Sequence, residues 1–146
     1  MTDRQNEHLL SRAGALLILI ALVTGIAIPA FTNPRQALST HVSSIMTGLL
    51  LIALASLWSR LTLSVTQRTL ALRLAIGGAY ANLAGSLLAA AWGTNRRTPF
   101  AGAGFGTAPW KETVAEFIQV SQGIVLIVAL ALVVYGLRRN ELEGRA

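Results

Sequence analysis

Apolar positions in this chain come in long unbroken runs, not in the strict alternation of a half-buried strand or the one-sided stripe of a surface helix. The runs fall at about residues 13–31, 39–58, 70–92 and 113–137, separated by stretches rich in Pro, Gly, Ser, Thr, Asn and Arg. A bilayer core roughly 30 Å thick takes about 20 residues of helix to cross. The pattern therefore predicts an all-α polytopic membrane protein, a four-transmembrane-helix bundle forming one domain over residues 1–146.

The first run opens at Ala13, has a Leu/Ile/Val body without charge, and stops at Pro29 ahead of the Asn33-Pro34 turn signal. Its length of about 18 exceeds the usual 7–15 of a signal-peptide core, so it reads as a retained helix. Ser39 and Thr40 are capping residues for the second run, and Trp58 with Arg60 marks an interface at its end. The third run is closed by Trp92, with Arg68 and Arg73 able to snorkel toward headgroups at its start. Tyr135, Arg138 and Arg139 close the fourth. Between the third and fourth runs, residues 93–111 form a long Gly- and Pro-rich loop that mixes basic and aromatic side chains, the kind of loop expected to cover a site.

Composition narrows the chemistry. Of the 146 residues, 53% are hydrophobic and 12% charged, and the absence of cysteine rules out disulfides and thiolate ligands. The net charge of +6 does not indicate a nucleic-acid partner, because the basic residues sit where apolar runs end. Arg4, Arg12, Arg60, Arg68, Arg73, Arg138, Arg139 and Arg145 fall on one side of the bilayer, and Arg35, Arg96, Arg97 and Lys111 on the other. That bias predicts insertion in the inner, cytoplasmic membrane with both termini cytoplasmic.

Polar groups inside the runs are where function is sought first, since they cost free energy unless paired. His41, Ser44, Thr47 and Gly48 recur at three, six and seven residues along the second run, a small-residue face open to a neighbouring backbone or a flat ligand. A neutral imidazole at 41 is a ligand for haem iron, or else an interfacial hydrogen-bonding group; alone, it cannot build a zinc site. Asn82 and Ser86 lie one turn apart, serving either interhelical hydrogen bonds or a bound polar group. Glu112, Glu116 and Gln119 form a polar stripe at the start of the fourth run; Glu116 either pairs with Arg96, Arg97 or Lys111 or carries a proton. Spacings such as Ala81 to Gly85 permit close helix packing and an oligomer.

The segments Ala30 to Arg35 (AFTNPR), Ser39-Thr40-His41, Gly48 to Leu54 with Trp58, Tyr80-Ala81-Asn82, and Leu88 to Gly93 resemble the hydroxylaminobenzene mutase family, in order and over roughly Gly14 to Arg138. That family is similar, more distantly, to styrene oxide isomerase, a trimeric membrane enzyme with haem b between subunits. The resemblance implies a homo-oligomer, a trimer, and an isomerase acting on a small aromatic hydroxylamine to give an ortho-aminophenol. It makes His41 the single protein ligand of a ferric haem b acting as Lewis acid, with Ser44 and Gly48 in the cofactor site. It assigns Thr47, Asn82 and Ser86 to substrate orientation, with Glu116 as proton acceptor. Thr47 stands where the epoxide isomerase has an active-site asparagine, and Ser86 near its tyrosine, which favours the mutase branch over epoxide isomerisation. A small transporter or a scaffold subunit is the non-enzymatic alternative, although no inverted repeat or broken-helix pair is present.

Overall fold

The computed structural model describes residues 2–143, with side chains through Arg138; Arg145 and the side chain of Arg139, both used in the charge count above, lie outside the described residues. Its long helices are α1 (Asp3–Ile26), α2 (Pro34–Leu57), α3 (Val65–Trp92) and α5 (Pro109–Glu143), with a four-residue helix α4 (Pro99–Gly102) between the last two. All four long helices have the length and apolarity to cross a membrane, so the chain is a multi-pass membrane protein.

Every long helix starts earlier than hydropathy alone indicates, and local chemistry explains why. Thr2 accepts from the Gln5 N–H while the Gln5 side chain accepts from the Thr2 N–H, a capping box that adds the polar stretch 3–12 to the first helix. Ser64 and Gln67 repeat the device at α3. At α2, Asn33 Oδ1 accepts from the Gln36 N–H at 3.1 Å and Pro34 occupies the first helical position. The third helix stops at Gly93, whose φ of 67° is left-handed and favours glycine.

Packing runs in chain order: α1 lies on α2, α2 on α3, and α3 on α5, while α5 makes no close backbone approach to α1 or α2 through the described residues. Glycines set the tightest crossing. A Cβ on Gly14 would sit 2.5 Å from the Gly48 carbonyl oxygen, and one on Gly48 would sit 2.8 Å from the Gly14 oxygen and 2.6 Å from Ile18 Cγ1. At the end of the bundle where α1 begins, Trp58 is fully buried and joins Leu10, Leu51, Leu61 and Ala71 in the core, so it packs inside the bundle and not on its lipid-facing surface. Tyr80 ties α3 to α1 by donating its hydroxyl to the Ala13 carbonyl at 3.1 Å.

The far end is held by hydrogen bonds instead. Fully buried Asn33 donates its N–H to Ala90 O at 3.0 Å and its amide to Ala101 O at 2.9 Å, and Arg35 donates to Ala103 O. Asn95 donates its amide to Phe105 O at 2.6 Å. The loop expected over 93–111 is thus a stapled cover containing α4, and α5 already begins at Pro109.

Candidate functional site

Because α2 and α5 both flank α3 with no close backbone approach to each other among the described residues, a cleft of about 400 Å³ opens between them on the loop side. The second helix supplies Gln36, Ser39 and Ser43; α3 supplies Asn82 and Ser86; α5 supplies Gln119 and Gln122; Arg97 and Thr98 come from the loop. Spacing accounts for the convergence. Gln36, Ser39 and Ser43 recur at three and four residues, as do Asn82 with Ser86 and Gln119 with Gln122, so each helix turns one polar edge inward.

Hydrogen bonds fix part of this lining. Thr98 Oγ1 donates to Gln36 Oε1 at 2.8 Å, closing the loop onto α2. Asn82 Nδ2 donates to Thr47 Oγ1 at 3.4 Å, and that hydroxyl in turn donates to the Ser43 carbonyl at 2.7 Å. Gln122 Nε2 donates to Gln119 O at 2.9 Å, leaving its buried Oε1 without a partner. Thr47, Asn82 and Ser86 are therefore brought together, and Gln36, Ser39, Ser43, Gln119 and Gln122 join them. Gln36 and Ser39 in particular carry a signal that sequence reasoning passed over: hydrophilic residues just inside the helix start, in register with Ser43 and Thr47.

His41 lies elsewhere. Ser39 and Ser43 stand about 160–200° round α2 from it, given 3.6 residues per turn, so the imidazole turns toward α1 and does not line the cleft. Its Nδ1 lies 2.7 Å from the Ala21 carbonyl oxygen, which makes Nδ1 the protonated nitrogen, since a carbonyl only accepts. Room for the ring comes from Gly25: a Cβ there would stand 2.6 Å from Nδ1 and 2.7 Å from Cε1. Nε2 has no hydrogen-bond partner among the described residues and is not sealed from the surface. The exposed side chains of Leu38, Val42 and Leu49, about 60–100° round α2 from His41, form an apolar face beside it.

An imidazole held in this way would suit a sole protein ligand to haem iron. A metal-ligating imidazole typically donates its other N–H to a carbonyl or carboxylate, which fixes the tautomer and aims the free lone pair. Among the described residues no group of three His, Asp or Glu side chains could form a metal cage, so the fit is to an iron that brings its own equatorial ligands.

Other expected site residues are placed differently. Gly48, expected beside a cofactor, is filled by Gly14 and Ile18 at the α1–α2 crossing. Ser44 is fully buried with its hydroxyl unpartnered and shut off from the surface. Thr47, expected on His41's face, points to α3 instead. Glu116 does not line the cleft; its carboxylate pairs with Arg96 at 3.4 Å, both side chains substantially exposed, which is the structural alternative. The more consequential acid is Glu112, whose buried carboxylate accepts from the backbone N–H groups of Asn95 and Arg96 at 3.1 Å and anchors the loop to α5. An aromatic belt caps the same end: Trp92 and Trp110 meet edge to face with centroids 5.5 Å apart, and Lys111 Nζ lies 5.8 and 5.7 Å from their centroids.

Hydroxylaminobenzene mutase HabB of Ectopseudomonas oleovorans is 35% identical over 138 residues, covering 94% of this chain and 84% of its own. Hydroxylaminobenzene mutase HabA of the same organism is 34% identical over 128 residues, covering 87% of this chain and 95% of its own. No solved structure matches the chain. The family model described as styrene oxide isomerase matches residues 6–138, from the buried Asn6 of α1 to the last described side chain of α5, and the chain belongs to that family, among its hydroxylaminobenzene mutase members.

Proposed function

We propose that this protein is a membrane-bound mutase that converts an aryl hydroxylamine into an ortho-aminophenol, with ferric haem b held by His41. The observation that carries the proposal is the imidazole itself: Nδ1–H held by Ala21 O at 2.7 Å, ring space provided by Gly25, and Nε2 unpartnered beside an apolar helix face. When bound, the haem supplies a Lewis-acidic iron.

The chain's own residues do the rest. His41 holds the group by one fixed nitrogen. Asn82, kept in place by the Thr47 hydroxyl, and Ser86 present polar groups that orient a substrate and accept or donate hydrogen bonds as charge develops. The stapled loop closes onto the outer end of the cleft through Thr98 and Gln36. Since His41 and the cleft occupy different sides of α2, a second copy packed on the apolar α1–α2 face would set a cleft against each imidazole, consistent with a homo-oligomer, a trimer by resemblance. With both termini cytoplasmic in the inner membrane, the cleft lies toward the opposite leaflet.

The competing activity is epoxide isomerisation, favoured by the description of the matching family. Both are tested by incubating the purified protein with phenylhydroxylamine and with styrene oxide and separating the products. Formation of 2-aminophenol with little phenylacetaldehyde is expected; phenylacetaldehyde alone, or no product from either, would overturn the mutase proposal.

A further inference from the structure

The cleft contains one charged residue, Arg97, and no acid. Its neighbour Arg96 is engaged with Glu116 and Thr113, each at 3.4 Å, and Glu112 is occupied by backbone N–H groups. Arg97 has neither an ion pair nor a side-chain hydrogen bond among the described residues. Close by, Gln36 is only 2% exposed, yet its amide is half used: Oε1 accepts from Thr98, which fixes the orientation, and Nε2 has no partner and is not sealed off. Ser86, 7% exposed, also lines the cleft with a hydroxyl that makes no hydrogen bond among the described residues. The exposed Arg97 guanidinium, the buried amide N–H and the hydroxyl are donors with no protein acceptor among the described residues, a set that an oxyanion entering the cleft completes and a neutral ring leaves to water.

Resting on the mutase reading, we propose that this cleft selects aryl hydroxylamines bearing a ring carboxylate, held by Arg97 and Gln36 Nε2. The hydroxylamine end of such a substrate is thereby turned away from Arg97. The same chemistry would suit a lipid phosphate, so the test separates the two sources.

In phosphatidylcholine nanodiscs, kcat/KM is measured for 4-(hydroxyamino)benzoate and for phenylhydroxylamine, and benzoate binding is measured by equilibrium dialysis. The wild type is expected to favour the carboxylate, and Arg97→Gln to lower that preference at least about tenfold, with Arg97→Lys recovering part of it. Benzoate binding should fall in parallel with the preference. An unchanged ratio in Arg97→Gln with turnover intact overturns the inference and leaves the mutase reading standing. Benzoate held through Arg97 without conversion of either hydroxylamine overturns the mutase reading and leaves the anion site. Loss of benzoate binding when phosphatidylglycerol is added, with no carboxylate preference in turnover, assigns the site to the phosphate of a net anionic lipid headgroup and rejects the substrate proposal.

Discussion

The two sides of α2 are built on opposite principles. Toward α1, Gly48 meets Gly14 backbone to backbone and His41 fits against Gly25, so contact is close, apolar and fixed. Toward α3, Gln36, Ser39, Ser43 and Thr47 keep a polar edge, and α5 stands off, so a cleft remains. Small residues close one side because no side chain intervenes, whereas hydroxyls and amides hold the other open for a polar occupant. A consequence is that the nitrogen best prepared to ligate iron and the groups best prepared to orient a substrate are separated within one protomer.

Substitutions on the two sides should divide accordingly. His41→Ala is expected to have the largest effect, lowering phenylhydroxylamine turnover at least about 100-fold with helix content unchanged by circular dichroism. Turnover at wild-type rate would remove the α1-facing side from the reaction. Asn82→Leu takes the amide from the cleft and leaves the Thr47 hydroxyl without its donor, so kcat/KM should drop about 10–100-fold while haem content stays at the wild-type level. Loss of haem in that variant would mean that the two sides are not independent. Gly25→Ala forces the imidazole from its seat, and haem titration should reveal an affinity about 10-fold weaker; unchanged affinity would show that the Ala21 contact does not position the ring.

Smaller effects contrast Glu112 and Glu116, the two acids near the start of α5. Glu112→Ala strands the backbone N–H groups of Asn95 and Arg96, costing about 1–3 kcal/mol of stability, seen as a lowered Tm. Glu116→Gln breaks only a half-exposed pair, worth about 0–1 kcal/mol, and should leave turnover within about twofold. A large loss of turnover there would restore Glu116 as a proton carrier.

Much of the fold was legible because the bilayer imposes it: uncharged runs of sufficient length become helices in any membrane protein. Helix starts were not legible from hydropathy, since residues 3–12 and 65–70 are polar enough to pass for tail and hairpin. Their signals were local, Thr2 with Gln5 and Ser64 with Gln67. In the site, Thr47, Asn82 and Ser86 could be singled out as polar groups in apolar surroundings, and the structure brings them together. Grouping Thr47 with His41 stretched the helical face too far: six residues at 100° each put Thr47 about 120° from His41, on the side that meets α3. Nor could helical spacing reveal that Gly48 is consumed by Gly14, or that Glu112 rather than Glu116 is the buried acid, facts that depend on helix order and loop closure.

The most direct test is the absorption spectrum of the protein purified from haem-replete cells, alongside that of His41→Ala. A Soret band that accompanies turnover in the wild type and disappears from the variant is the predicted result. A colourless wild-type preparation with full activity toward phenylhydroxylamine would contradict it.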